Sequence, residues 1–287
     1  MKINYFQRGF NFSQDGPGNR LVYHFQGCNL ICPWCANPEG IAKDGTLMTG
    51  DRVNGTYCEK GAVNGNEIDR TICRSCDKPC LKIPASGIKL SCVSEETESI
   101  ADYAKSCEPM FFDGGGVTVT GGEPTMQFDA LKELFILLKE KGINTALETN
   151  GTHPKLPGLF PLIDYLIIDC KHYDSEKHRG ICGAGNETIL ENIELACEER
   201  NQLLVRIPLI GFFNSSADDA GKFAETFEKI TNDKCGFEFL MYHEFGKNKY
   251  ERCGMTYTMT DEAKVGIEEV KLFTEIFNAH SLKTVRT

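Results

Sequence analysis

Six short apolar runs, at residues 21–25, 116–120, 144–148, 165–169, 203–208 and 236–241, alternate with amphipathic stretches. The runs are partly β-branched and too short for helices, which predicts buried parallel strands. Residues 128–141, 187–200, 218–231 and 261–277 carry apolar side chains at helical spacing. In the first of these, Leu131, Leu134, Leu137 and Leu138 fall on one face. Alternation of this kind winds into right-handed βαβ units. The expected fold class is α/β, a partial (β/α)6 barrel with ligands at the carboxyl ends of its strands. Residues 50–91 break the rhythm: they are rich in Gly, Asn, Asp and Cys and lack apolar periodicity. They read as an insert in a barrel made of residues 1–49 and 92–287.

The loop after the first run holds Cys28, Cys32 and Cys35 in a C-x3-C-x2-C pattern. Three thiolates this close can converge on one metal centre. A [4Fe–4S] cluster has four irons and normally takes four cysteines. Three would leave one iron open, and an open coordination position is where substrate binds. Zinc or ordinary structural cysteines are the alternative, but no fourth ligand follows at zinc-finger spacing. The chain has fourteen cysteines in 287 residues. A secreted disulfide scaffold would be shorter and without C-x2-C clusters, so reduced thiols in a reducing, anaerobic setting fit better.

Composition narrows the classes further. With 41% hydrophobic and 25% charged residues the chain is ordinary for a globular protein. No segment approaches the ~20 apolar residues of a membrane helix, and Met1 to Arg8 lack the apolar core of a signal peptide. The expected location is the cytoplasm, with no membrane partner. A net charge of −10 argues against nucleic acid as a partner.

The run from Gly27 to Cys35, with Trp34 just before the third cysteine, resembles the cluster loop of the radical S-adenosylmethionine (SAM) superfamily. Upstream lies Asp15-Gly16-Pro17-Gly18-Asn19-Arg20; downstream lies Asn37-Pro38-Glu39. Together they are similar to the activating enzymes of glycyl radical enzymes, the group typified by the activator of pyruvate formate-lyase. The resemblance implies an oxidoreductase that activates a partner glycyl radical enzyme. SAM would chelate the open iron, and the reduced [4Fe–4S] cluster would cleave it to methionine and a 5′-deoxyadenosyl radical. That radical would take a hydrogen atom from a glycine Cα of the partner protein. Reduced flavodoxin or ferredoxin would supply the electron.

The same resemblance implies the remaining site residues. Trp34 stands beside the cofactor, and Gly121-Gly122-Glu123-Pro124 looks like the motif for the SAM amino group, with Glu123 accepting from the ammonium. Glu148 and Asn150, in Glu148-Thr149-Asn150-Gly151, would contact SAM or a nearby cation. Glu148 stands where the family's activators have Asp. Lys171, sharing a strand face with Asp169, would meet the SAM carboxylate or ribose region. Arg206 is a charge inside an apolar strand, costly unless paired. Its partner is a SAM carboxylate or a structural salt bridge. His243 lies in Tyr242-His243-Glu244-Phe245-Gly246-Lys247-Asn248-Lys249-Tyr250, similar to the activators' Tyr-His segment, and would hydrogen-bond SAM. Asp15 and Gly16 would contact the partner's glycine loop. His172 and His178 receive no role. After Ile210 the chain reads Gly211-Phe212, where the family usually has Pro-Gly.

In the insert, Cys73, Cys76 and Cys80 form C-x2-C-x3-C, and Cys58-Glu59-Lys60-Gly61-Ala62-Val63 resembles the tail of a bacterial ferredoxin motif. Crossover ligation of the ferredoxin kind would join Cys58 to the other three on one auxiliary [4Fe–4S] cluster. Cys92 is the rival fourth ligand, and a zinc knuckle the rival occupant. The six cysteines from Cys58 to Cys107 cannot close two four-cysteine clusters. A closed ligand set points to electron transfer. Two other functions remain open from sequence: a radical SAM enzyme acting on a small molecule or peptide, and a non-catalytic carrier with two clusters.

Overall fold

The computed structural model describes residues 1–199 and 202–285. Its main sheet is built from β1 (Lys2–Phe12), β2 (Asn19–Phe25), β3 (Val93–Glu96), β4 (Gly116–Gly121), β5 (Thr145–Thr149), β6 (Tyr165–Asp169), β7 (Leu203–Leu209), β8 (Cys235–Met241) and β9 (Lys283–Thr284). In space the nine strands run β9-β8-β7-β6-β5-β4-β2-β1-β3. From β2 to β9 every neighbouring pair is parallel. Strand β1 pairs antiparallel with both β2 and β3. The six strands expected from the apolar runs are all present, within a residue or two of their expected ends.

Side-chain alternation splits each strand between two environments. Leu21, Tyr23, Phe25, Val119, Leu147, Ile168, Val205 and Phe237 face the helices and form the main core. The helix Phe128–Glu140 buries Leu131, Leu134, Phe135 and Leu138 there, at i, i+3, i+4 and i+7. Ala217–Ile230 begins at a reciprocal cap between Ser216 and Asp219, then buries Ala220, Phe223, Ala224 and Phe227. The opposite strand face carries His24, Thr120, Glu148, Asp169, Arg206 and Glu238, a polar layer inside the curved sheet.

One expected helix is corrected. Residues 261–277 are not continuous: a single turn, Asp261–Ala263, is followed by the helix Ile267–Ala279. Gly266 is extended between them and its N–H donates to Glu269 Oε2 at 2.7 Å. The turn is held elsewhere, since Gly211 N donates to Ala263 O at 3.0 Å. The helix expected at 187–200 is seen as Glu187–Glu199; Arg200 lies outside the described residues.

The stretch that broke the alternation is closed at its base by a short ladder. Leu47–Thr49 pairs antiparallel with Ile88–Leu90, and Gly50 N donates to Gly87 O at 2.7 Å. Inside it are a small hairpin, Val63–Asn64 with Glu67–Ile68, and the one-turn helix Arg70–Arg74 capped by Asp69. Arg70 ties the insert to the barrel through the carbonyls of Leu47 (3.2 Å) and Arg252 (3.3 Å). Asp51 and Arg252 form an ion pair across the same seam.

Candidate active site

The cysteine loop springs from the end of β2 and is anchored at both ends. Gln26 is buried and donates to the carbonyls of Glu39 (2.8 Å) and Ala42 (2.6 Å). Gly27 N reaches Gly40 O at 2.7 Å, and Glu123 N reaches Gly27 O at 2.7 Å. A Cβ on Gly122 would stand 2.2 Å from Gly27 O, so this glycine is what lets the two loops touch. Farther along, Ile31 N donates to Cys182 O at 2.9 Å and Tyr250 Oη to Pro33 O at 3.2 Å. Trp34 packs on Phe213 with centroids 5.3 Å apart.

Backbone N–H groups point at two of the sulfurs: Leu30 N at Cys28 Sγ and Asn37 N at Cys35 Sγ, each 3.4 Å. Cys32 and Cys182 lie together in a small buried cluster with Leu30, Ile210 and Phe213. Burial pushes the Cys28 thiol up to about 12 and the Cys35 thiol up to about 11. Cys32 is raised as well, by its neighbour Cys182 first and burial second, while the Lys171 charge pulls the other way. Such thiols ionise only against positive charge, which iron supplies. Three cysteines on one loop are donors of the kind that hold an iron–sulfur cluster.

The polar layer of the sheet lies beside this loop. Arg206 Nε donates to Glu238 Oε2 and its Nη1 to Glu148 Oε1, each 2.7 Å. Its Nη2 donates to Gln14 O. Burial opposes its charge, and the two carboxylates outweigh it and hold its pKa high. Thus, of the two partners open from sequence, the structure supplies the salt bridge, and a SAM carboxylate would have to displace one. Burial raises Glu148, with Arg206 lowering it and Asp169 and Asp15 raising it. Thr120 Oγ1 donates to Glu148 Oε2 at 3.0 Å.

Glu123 is buried, and both its oxygens meet the protein: Thr125 N (3.0 Å), Thr125 Oγ1 (2.6 Å) and Thr149 Oγ1 (2.7 Å) on one, Asn150 N (2.7 Å) on the other. A carboxylate has about four acceptor positions; Oε2 accepts only from Asn150 N among the described residues, so its capacity is not exhausted. Glu123 also joins the Gly121-Gly122 loop to the end of β5. Asn150 continues the link, donating to Asn29 Oδ1 in the cysteine loop at 2.9 Å.

Lys171 is buried and donates to Asp169 Oδ2 at 2.8 Å. Burial opposes its charge; Asp169 and the nearby cysteines hold it protonated, so it is a cation set beside Cys32 rather than a surface pair. His243 is exposed, with its ring stacked on Phe245 at 4.2 Å. Asp15 is half-buried: its carbonyl accepts from Thr118 Oγ1 at 2.7 Å and its Oδ2 from Asn11 at 2.5 Å. Gly16 is buried at φ +115° against Arg20 and Tyr165. Residues 14–16 thus fold onto the inner face.

Sequence reasoning missed three residues here. Glu238 stands between Phe237 and Phe239, the same charge-in-a-strand signal that drew attention to Arg206. His24 lies in the polar layer with a buried Nδ1 that has no hydrogen-bond partner among the described residues. Cys182 carried no spacing signal. In the insert, Cys58, Cys73, Cys76 and Cys80 line one pocket walled by Ile68, Ile72 and Ile88. Cys92 is not among its lining residues and packs by Gly45 instead.

Comparison with known proteins agrees with this geometry. Residues 22–225 match the Radical SAM superfamily model. The 4-hydroxyphenylacetate decarboxylase activating enzyme of Clostridioides difficile is 31% identical, over 92% of this chain and 89% of that protein. The indoleacetate decarboxylase activating enzyme of Tractidigestivibacter scatoligenes is 32% identical, over 95% and 93%. Streptococcus suis SuiB superposes with a TM-score of 0.57 at 12% identity, covering 92% of this chain and 48% of that one, a likeness of fold alone. The chain belongs to the radical SAM superfamily and, within it, to the activating enzymes of glycyl radical enzymes.

Proposed function

We propose that the chain holds its SAM-binding [4Fe–4S] cluster on Cys28, Cys32 and Cys35 and receives the partner's glycine segment against Asp15 and Gly16. The observation that supports this is the set of contacts reaching from one place toward the other. Arg206 touches both Gln14 O, in the loop before Asp15, and Glu148 in the polar layer, and Lys171 extends that layer to Cys32. When bound, the reduced cluster and SAM supply the one-electron cleavage that makes the hydrogen-abstracting radical. The protein's own part is position and dryness. Asn29 and Asn150 fix the cysteine loop, the backbone of Gly121 and Gly122 passes close to it, and Trp34 and Phe213 screen it from water. The exposed His243 would meet SAM through Nε2, since its Nδ1 accepts from Phe245 N at 3.4 Å.

The relatives named above act on enzymes of aryl-acetate decarboxylation by name; the partner of this chain is of the same general kind, a glycyl radical enzyme. Cys58, Cys73, Cys76 and Cys80 would hold one auxiliary cluster. The insert that carries them, residues 50–91, has seven Lys and Arg against five Asp and Glu in a chain of net charge −10. Lys60 and Lys78 stand at the cysteine pocket. That local excess suits an acidic donor such as reduced flavodoxin or ferredoxin. No helix among the described residues is long and apolar enough to cross a membrane, in keeping with work in the cytoplasm.

The test is anaerobic incubation of the reconstituted protein with SAM, a reductant and a candidate partner. A glycyl electron-spin signal on the partner, with 5′-deoxyadenosine released, is expected. Asp15→Asn should lower the glycyl signal about tenfold and leave partner-free SAM cleavage intact. Equal loss of both, or of neither, would remove Asp15 from the partner site.

A further inference from the structure

Lys249 closes on the cysteine loop from the segment that follows β8. Its Nζ donates to Asn37 Oδ1 at 2.7 Å and pairs with Glu39 Oε1 at 2.8 Å. Glu39 is only 6% exposed, and its other oxygen, Oε2, has no hydrogen-bond partner among the described residues. Lys249 is thus the cation paired with a buried carboxylate, and such a pair is costly to break from one side. Two neighbours reach the same limb of the loop. Gly246 is buried, and a Cβ there would press on Cys35 O and stand 3.1 Å from Ala36 Cα. Tyr250 Oη donates to Pro33 O at 3.2 Å. One short stretch, the start of the helix Lys247–Cys253 and the residue before it, therefore grips the loop at Pro33, Cys35, Asn37 and Glu39. Asn37 is also the residue whose N–H points at Cys35 Sγ. His243 lies just upstream of Gly246 on the same stretch.

We propose that Lys249 is a positioning residue for SAM. By locking Asn37 and Glu39 it holds the limb of the loop around Cys35 and the His243 segment as one body. This rests on the reading that Cys28, Cys32 and Cys35 hold a cluster whose open iron takes SAM and that His243 meets the same SAM. A ligand gripped from two sides binds well only if the grips keep a fixed spacing, and small misplacements are expensive. The Glu244–Lys247 pair of the same stretch stands at 3.3 Å largely in solvent, where ion pairs contribute little. Lys249 instead reaches a buried partner. It acts through Asn37 and Glu39, not on a reacting atom.

The experiment compares wild type, Lys249→Met and Lys249→Met/Glu39→Gln, each reconstituted with iron and sulfide without oxygen. Calorimetry reads SAM affinity, and a thermal melt reads stability. Lys249→Met strands the Glu39 carboxylate, so its melting temperature should fall, and SAM should bind about tenfold more weakly. The double variant removes the stranded charge. It should recover the melting temperature and keep the loss of SAM affinity, because the limb is still not held. Recovery of SAM affinity together with stability would reduce Lys249 to a counter-charge for Glu39 and overturn the proposal. So would unchanged SAM affinity in Lys249→Met. Loss of about four irons per chain in both variants would also overturn it, since Lys249 would then serve cluster assembly. If Lys249→Met alone fails to load, the double variant decides. A wild type that binds SAM no better with iron than without it fails the cysteine-loop reading itself, an outcome distinct from the others.

Discussion

Gly122 shows how much a single residue holds at this site. Any side chain there would press on Gly27 O at 2.2 Å and Gly40 O at 2.8 Å, both rigid backbone, one step before Cys28. Gly122→Ala should push the cysteine loop out of place. The expected result is loss of about four irons per chain, with the insert's pocket untouched. Iron assay and SAM-dependent spectra check it; full iron with normal SAM cleavage would refute it. At this scale the motifs were legible because their glycines and cysteines have few structural substitutes. What their side chains bind was not. That Thr149 and Asn150, 26 and 27 residues away, donate to Glu123 could not be read from the motif. Arg206 was legible as a buried charge in need of a partner. That Glu148 and Glu238 supply it follows from strand order, which one sequence does not state.

The elements were largely readable. Buried parallel strands and amphipathic helices carry distinct periodicities, and the six expected strands appear in chain order across the sheet. Strand β1 was not read, although Ile3 and Tyr5 alternate with half-buried or polar positions. Its partners, β2 and β3, lie on either side of it in space, and that pairing is a tertiary fact. The insert offers the sharper test. Its base already pairs Thr49 with Ile88, and Gly50 and Gly87 sit just beyond. Removing residues 51–86 would leave Gly50-Gly87 as a two-residue Gly-Gly hairpin loop, a favoured connection for antiparallel strands. The shortened protein should fold, hold the cysteine-loop cluster and cleave SAM with dithionite, while containing about four fewer irons. Its reduction by flavodoxin or ferredoxin should slow. Collapse of SAM cleavage with dithionite would mean that the insert is part of the barrel's stability and not a separable module.

Taken whole, the molecule presents an apolar rim around the carboxyl ends of its strands. Ile31 in the cysteine loop is 65% exposed, Phe212 after β7 50%, Met241 ending β8 45% and Phe245 beyond it 78%. Large apolar side chains scattered singly need no account, but four on the loops of one mouth fit a protein surface better than a small metabolite. Phe212 is the cleanest probe, because its neighbour Phe213, not Phe212 itself, packs on Trp34. An aromatic anchor at an interface is commonly worth more than 1 kcal/mol, and 1.4 kcal/mol is tenfold in affinity. Phe212→Ser should therefore raise the partner concentration needed for half-maximal glycyl radical formation about tenfold. The rate at saturating partner and the partner-free cleavage of SAM should hold, since Phe212 is half exposed and it is Phe213 that packs on Trp34. Titrating partner at fixed activator and reading the glycyl signal separates these terms. A fall in the saturating rate with an unchanged half-point would place Phe212 in the chemistry of the site and remove the rim from partner recognition.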